Sequence, residues 1–169
     1  LGLVYRSTGD YPKAEDLYGC ALCIREEIYA SDHPMVLATK NNIAQVYASE
    51  ERYGEAISLF ETVIQEYREN STEDSAFLAA IYDNLSTAYR EMERYEDAID
   101  ICTEGLNIRK NIYGKRSLDY AISLNNLALI YYEMGILNDA ADIFSEALAI
   151  KKETLPEIHG QISIGYFNL

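Results

Sequence analysis

Cations, cysteines and long apolar runs are scarce in this sequence, and each scarcity excludes a class of protein. Only 14 lysines and arginines oppose 28 aspartates and glutamates, which gives a formal net charge of −14. Such a surface repels phosphates and anionic lipid headgroups, so we expect neither nucleic acid nor a membrane as a direct partner. Three cysteines, an odd number, favour a reducing cytoplasmic location over a disulfide framework. No apolar run is long enough to span a bilayer.

Motifs of catalysis and metal binding are also missing. The sequence has no glycine-rich phosphate loop, no serine-histidine-aspartate order and no helical His-Glu-x-x-His. We also expect no carboxylate in an apolar setting that would raise its pKa. Cys20 and Cys23 form a Cys-x-x-Cys pair, but a zinc site needs four ligands and no second pair follows, so a structural role is expected. We therefore predict that this segment is not an enzyme and holds no cofactor or metal.

One pattern recurs every 42 residues along the chain without an insertion. Tyrosine returns at one phase of the pattern, alanine at a second, and leucine or isoleucine at a third. These positions are Tyr5, Tyr47, Tyr89 and Tyr131; Ala14, Ala56, Ala98 and Ala140; and Leu1, Ile43, Leu85, Leu127 and Leu169. A fixed period of this size indicates a solenoid, whose units bury their apolar faces against their neighbours.

Each unit contains two stretches in which apolar residues recur at spacings of three and four, as in amphipathic helices. No alternating pattern of useful length predicts a strand, so the predicted fold class is all-α. The predicted helices cover 1–8, 11–29, 34–50, 53–69, 76–92, 95–112, 118–134, 137–153 and 160–169. We expect one array over residues 1–169, a fragment of a longer chain, with units at 1–33 (partial), 34–75, 76–117 and 118–159 and the start of another at 160–169.

The turn inside each unit carries glycine in the first and fourth units only. Gly9 and Gly135 suit a left-handed residue at the end of the first helix. Glu51 and Glu93 occupy the same phase in the middle units. Either these glutamates adopt the left-handed conformation at a modest cost, or the two middle turns differ.

The linkers between units carry capping signals. Asp32 precedes Pro34 and resembles an N-cap with proline in the first turn of the next helix. His33 and His159 lie three whole periods apart at one phase, so we expect a linker or capping role for them rather than a shared metal site.

The fourth unit preserves the pattern best. Its first helix carries Ala128 and Tyr131, its turn carries Gly135, and its second helix carries Ala140 and Phe144. This order resembles the tetratricopeptide repeat, a helix-turn-helix unit. At 42 residues the unit is longer than the usual 34 and is similar to the repeats of kinesin light chains. The resemblance implies a right-handed α-solenoid of antiparallel helix pairs.

In the resembling family, the first helix of each unit lines a concave groove that binds a peptide or protein segment. Carried over onto this sequence, the groove residues are Asn41, Asn42, Gln45, Asp83, Asn84, Thr87, Arg90, Asn125, Asn126, Leu129, Tyr132 and Asn168. One phase of this set holds only asparagine. We call these four residues the asparagine ladder: Asn42, Asn84, Asn126 and Asn168. Each amide can donate to and accept from a peptide backbone. The alternative is that these asparagines bond neighbouring repeat helices and set their stacking; both roles can hold.

The expected function is that of a protein-interaction scaffold. Leu129, Tyr132 and Phe167 make the C-terminal half of the groove more apolar than its middle, where Arg90 is the chief cation. We therefore expect a ligand with a hydrophobic anchor and no strong negative charge. Two alternatives remain open. In the first, the chain is a structural spacer or self-association module that stacks through exposed end helices. In the second, it is a sensor arm that regulates an enzyme elsewhere in a longer protein.

Overall fold

The computed structural model describes residues 1–71 and 73–154 of the chain. These residues form eight α-helices and no strand. The helices are α1 (Gly2–Ser7), α2 (Tyr11–Ile28), α3 (Pro34–Ser49), α4 (Tyr53–Asn70), α5 (Ala76–Glu91), α6 (Tyr95–Tyr113), α7 (Leu118–Glu133) and α8 (Leu137–Thr154). Each lies within one residue of its predicted bounds at both ends, and the predicted helix at 160–169 lies outside the described residues.

Short connections make consecutive helices antiparallel pairs, α1 with α2, α3 with α4, α5 with α6 and α7 with α8. Each second helix also packs against the first helix of the next pair, so the pairs stack in chain order. Neighbouring first helices touch one another, whereas neighbouring second helices in the described part of the chain do not. The stack therefore curves, with the first helices on its inner, concave side.

Small residues face large ones where the two helices of a pair approach each other. Gly2 lies against the Tyr18 ring, and a Cβ atom added there would come within 2.8 Å of that ring. The in-phase alanines Ala14, Ala56, Ala98 and Ala140 are all buried. In the middle of the stack, Phe60 and Leu85 belong to one apolar cluster that runs from α3 to α7. We call the interface between α3–α4 and α5–α6 seam 2–3, and the interface between α5–α6 and α7–α8 seam 3–4.

All four inner turns have the same geometry, whether or not they contain glycine. Glu51 and Glu93 have φ values of 61° and 57°, in the left-handed region occupied by Gly9 at 81° and Gly135 at 80°. At Glu51 the next backbone N–H, that of Arg52, donates to the Tyr47 carbonyl at 2.9 Å, as in a Schellman motif. The middle units thus keep the turn, with two glutamates in a strained conformation.

Three first helices begin with a side-chain cap at one phase of the repeat. Ser75 and Ser117 accept from the backbone N–H groups of Leu78 and Tyr120, each at 3.1 Å. In α3 the cap is His33, whose Nδ1 accepts from the Met35 N–H at 3.2 Å. The expected capping role of His33 is confirmed, and the assignment of the cap to Asp32 was wrong.

Candidate binding groove

The concave side contains a cleft of about 320 Å³ between α1, α3 and α5. Its walls come from the ends of these helices nearest the inner turns, and its apolar base includes the buried ring of Phe60. The lining residues are Arg6, Gln45, Ala48, Ser49, Tyr53, Phe60, Asn84, Thr87, Ala88 and Glu91. Three of the twelve residues proposed from the sequence, Gln45, Asn84 and Thr87, are therefore brought together in one cavity.

These three polar side chains retain hydrogen-bonding capacity. The Gln45 Oε1 accepts from the Arg6 guanidinium, which leaves the Gln45 amide donors unused by that bond. The Thr87 hydroxyl donates to the Asp83 carbonyl at 2.9 Å and can still accept. Asn84 makes no side-chain hydrogen bond within residues 1–71 and 73–154. The cleft therefore offers both donors and acceptors to a bound chain.

Asp83 departs from the sequence expectation because its carboxylate turns away from the cleft into seam 3–4. The carboxylate lies 2.6 Å from Arg109 Nη2, and its other oxygen accepts from the Ser123 hydroxyl at 3.3 Å. Arg109 also donates to Ser123 at 2.5 Å. We call Asp83, Arg109 and Ser123 the buried triad, because the Asp83 and Arg109 side chains are only 14% and 10% exposed and Ser123 is fully buried.

Burial raises the pKa of the Asp83 carboxyl above its usual value, and the Arg109 guanidinium beside it offsets only part of this effect. The expectation that no carboxylate sits in such a setting was therefore wrong. The sequence held a signal for this site, since Asp83 puts a charge at the phase where the neighbouring units have Asn41 and Asn125. Neither Arg109 nor Ser123 was proposed from the sequence.

The asparagine ladder divides into members with different roles. Asn126 lies beside the Asp83 carboxyl across seam 3–4 and lowers the pKa of that carboxyl, so it links neighbouring repeats. Asn42 and Asn84 are half-buried and have no side-chain partner among the described residues. Asn168 lies outside the described residues.

Two asparagines that each precede a ladder member by one position have a buried, unpaired carbonyl oxygen. Asn41 is buried and Asn125 half-buried, and in both the Oδ1 atom is buried without a hydrogen-bond partner in the described part of the chain.

Arg90 connects the third and fourth pairs on the concave side. Its guanidinium pairs with Glu91 on the same helix, and its Nε lies 3.5 Å from a carboxylate oxygen of Glu133 on α7. That separation allows ion pairing without a well-aligned hydrogen bond. The chief cation of the groove is therefore already neutralised by two acidic side chains.

Apolar side chains are exposed on the inner face of α7, and Phe167, which the sequence assigned to the same part of the groove, lies outside the described residues. Tyr132 is 60% exposed and Ile122 is 49% exposed, and Leu129 between them is half-buried. These side chains form an open apolar surface beside Glu133.

Other chemistry singled out in the sequence does not form a site in the structure. Cys20 and Cys23 are free and exposed on α2. Across residues 1–71 and 73–154, no three histidine, cysteine or acidic side chains are grouped as metal ligands would be. Within the same residues, no helix combines the length and apolarity that crossing a bilayer requires.

Comparison with known structures supports the fold class predicted from the sequence. BtubC from P. vanneervenii has 27% identity and a TM-score of 0.84 over 92% of this chain and 61% of that one. The putative kinesin light chain repeats of Podosopora anserina have 22% identity and a TM-score of 0.80, over 92% and 74%. MamA from Desulfovibrio magneticus RS-1 has 16% identity and a TM-score of 0.66, over 92% and 74%. The chain thus spans about three fifths of the length of BtubC.

No curated protein matches the chain in sequence. A family model described as tetratricopeptide repeat does match, over residues 1–69 and 74–153. The right-handed α-solenoid of antiparallel helix pairs is confirmed. Proteins with this repeat are generally non-catalytic scaffolds for protein interactions. Since this family model matches nearly all of the described residues, the protein belongs to the tetratricopeptide repeat family.

Proposed function

We propose that the concave face formed by α1, α3, α5 and α7 binds an extended peptide or protein segment. The observation that carries this proposal is the cleft of about 320 Å³ between α1, α3 and α5, in which polar groups with spare hydrogen-bonding capacity surround an apolar base. Asn84 is the central group, because its amide has no partner among the described residues.

An extended chain presents N–H and C=O groups along its length, and a carboxamide can satisfy one of each. Asn84 on α5 and Gln45 on α3 stand on neighbouring helices that both line the cleft. They can therefore hold a peptide backbone whatever its side chains are. Because both amides stand on packed helices, little conformational entropy is lost when they bind.

Selectivity for side chains would come from the charged and apolar groups around these amides. Arg6 and Glu91 place opposite charges on two walls of the cleft. Arg90 is already paired with Glu91 and Glu133, so it adds no free positive charge. Tyr132, exposed on α7, offers apolar surface to an anchor residue. These features favour a ligand with a hydrophobic anchor and no strong negative charge.

Selection from a displayed library of random linear peptides on the immobilised chain tests the proposal. Labelled versions of the selected peptides are then titrated with the wild type and with Gln45→Ala/Asn84→Ala, and binding is followed by fluorescence anisotropy. Loss of two hydrogen bonds to the peptide should weaken binding by about tenfold or more. Asn126→Ala is unsuitable as a test, because Asn126 lies beside the buried Asp83 carboxyl and its loss would also change seam 3–4.

The matched control is Asn107→Ala/Asn138→Ala, which removes two exposed amides from the second helices α6 and α8. It should bind the selected peptides as the wild type does. Equal affinity of the wild type and Gln45→Ala/Asn84→Ala, with the helical content of both intact, would refute groove binding.

Stacking on further repeats is a second candidate function, and one observation favours it. Val4 on α1 is 58% exposed, whereas Val46 at the same phase of the next unit is fully buried. Val4 therefore offers apolar surface to a further helix pair. Sedimentation velocity at rising concentration should show association that Val4→Lys removes and Met92→Lys, in the middle of the array, does not.

A further inference from the structure

A second cleft, of about 300 Å³, lies at the opposite end of α3 and α5 from the groove cleft. It opens where α3 and α5 begin and α4 ends, in seam 2–3. The residues that line it are Asp32, Pro34, Leu37, Tyr67, Asn70, Ser71 and Phe77. We call it the aromatic cleft. A cavity of this size takes one long side chain or a small ligand.

Two aromatic rings and one carboxylate determine the chemistry of the aromatic cleft. The rings of Tyr67 and Phe77 have centroids 6.2 Å apart and planes inclined at 46°, so they are not stacked face to face. Asp32, which also lines the cleft, has no hydrogen-bonding or ionic partner within the described residues. Aromatic faces attract cations through the ring quadrupole, and an unpaired carboxylate attracts them by its charge.

The helix ends at the cleft oppose one another in charge. Asn70 and Ser71 lie at the negative end of the α4 dipole, whereas Pro34 and Phe77 lie in the first turns of α3 and α5, at the positive ends of theirs. The preference for a cation therefore comes from Asp32 and the two aromatic rings. The basic residue in the last turn of α4, Arg68, is already paired with Asp74 at 3.2 Å. Among the described residues, no basic side chain lines the cleft.

The repeat shows what the aromatic cleft lacks. Arg25, Tyr67, Arg109 and Lys151 stand at one phase, so the second unit alone has no cation there. In seam 3–4 Arg109 fills this position and pairs with Asp83. In seam 2–3 the counterpart of Asp83 is Asn41, one turn beyond Leu37 on α3. Asn41 is 9% exposed, and its Oδ1 has no hydrogen-bond partner among the described residues. At this phase of the repeat, seam 3–4 therefore supplies a cation and seam 2–3 does not.

We propose that the aromatic cleft binds a lysine or arginine side chain presented by a partner protein. The alkyl stem of that side chain packs against the rings of Tyr67 and Phe77, and its charged end lies near Asp32. The net charge of −14 attracts a basic partner to this edge of the solenoid. This site is separate from the groove, so either proposal can fail without the other.

Titration with blocked amino acids tests the chemistry directly. N-acetyl-lysine-N-methylamide is added to the full chain, and the aromatic ring signals of Tyr67 and Phe77 are followed by NMR. N-acetyl-norleucine-N-methylamide is the neutral comparison, because it keeps the apolar stem and lacks the charge. The lysine probe should shift both ring signals in a saturable manner and bind at least about fivefold more tightly than the norleucine probe.

Two variants locate the effect. Asp32→Asn should weaken binding of the lysine probe about fivefold, whereas Asp142→Asn, which removes the same charge from the exposed face of α8, should leave it unchanged. Phe77→Leu keeps an apolar side chain and removes the ring, and should also weaken binding. The proposal is overturned if both probes bind equally, if the lysine probe does not saturate, or if Asp32→Asn and Asp142→Asn behave alike.

Discussion

Seam 2–3 and seam 3–4 have the same helix arrangement and opposite chemistry at their centres. In seam 3–4 the buried triad of Asp83, Arg109 and Ser123 holds an ion pair away from solvent. In seam 2–3 the same phases carry Asn41, Tyr67 and Ile81, none of which is charged. The repeat therefore determines the backbone and the apolar packing, whereas the polar interactions differ from one seam to the next.

The largest expected effect comes from breaking the triad. Arg109→Met removes the guanidinium but keeps an apolar stem, so the Asp83 carboxylate stays buried without its ion-pair partner. We expect the free energy of unfolding, measured by urea denaturation with circular dichroism, to fall by about 3–5 kcal/mol. Tyr67→Met, the matching change in seam 2–3, should cost about 1 kcal/mol, because it replaces a half-buried ring with another apolar side chain and strands no charge.

A double variant separates the charge from the packing. Asp83→Leu combined with Arg109→Met replaces the ion pair with apolar groups, and it should recover most of the stability that Arg109→Met loses. If the double variant is no more stable than Arg109→Met, the cost is one of packing rather than of an unpaired charge.

Thiol reactivity reports on seam 3–4 without perturbing it. Cys102 is fully buried, with its Sγ 3.7 Å from the Ser123 carbonyl, and burial raises its pKa from 9.0 to about 12. At neutral pH we therefore expect Cys102 to react with Ellman's reagent about a thousandfold more slowly than the exposed Cys20 and Cys23.

A Cys20→Ser/Cys23→Ser background isolates the slow reaction of Cys102. In that background Arg109→Met should accelerate it by loosening the seam, and Tyr67→Met should not. A single rate for all three thiols of the wild type would contradict the burial of Cys102.

The pH dependence of stability should also distinguish the seams. Burial raises the pKa of Asp83 above its usual value of 3.8, despite Arg109. The folded chain therefore favours the protonated carboxyl, and this contribution to stability is complete below about pH 3.8 and is lost as the pH rises through the folded-state pKa. Between about pH 4 and pH 7, the wild type should lose more stability than Asp83→Asn does. Asp142→Asn should follow the wild-type slope, because Asp142 is exposed.

The smallest effect concerns the inner turns that precede the two seams. Glu51 and Glu93 hold positive φ values, a conformation that costs side-chain-bearing residues more than glycine. Glu51→Gly should raise the free energy of unfolding by about 0.5–1 kcal/mol. Glu51→Ala removes the same charge but keeps the Cβ atom, so thermal or urea unfolding should show little change. Gly135→Ala should be destabilising, and a neutral result there would show that the turn tolerates a side chain freely.

Helix boundaries and fold class followed from the sequence because both depend on local, periodic features. The in-phase alanines and tyrosines determine how the two helices of a pair pack. Because these residues recur every 42 positions without an insertion, each unit forms the same helix pair. The strained turns at Glu51 and Glu93 keep the common geometry because the packing of each helix pair outweighs a local cost of about 1 kcal/mol.

The polar details of the groove could not be predicted in the same way. Asp83 occupies the same position of the repeat as Asn41 and Asn125. The orientation of its side chain, however, is set by Arg109, 26 residues further along the chain, and by Ser123 on the next helix pair. Asn126 follows Asp83 into the seam, while Asn84 stays in the cleft. Contacts between repeats therefore decide which members of a ladder remain available to a ligand.

One of the three capped first helices differs from the others in what its cap touches. The His33 imidazole, whose Nδ1 accepts from the Met35 N–H at 3.2 Å, also stacks on the Tyr29 ring just beyond the end of α2, with ring centroids 4.1 Å apart. The hydroxyl caps at Ser75 and Ser117 carry no ring that could stack in this way. The start of α3, beside the residues where the aromatic cleft opens, is therefore coupled to the end of α2 by ring packing as well as by the connecting chain.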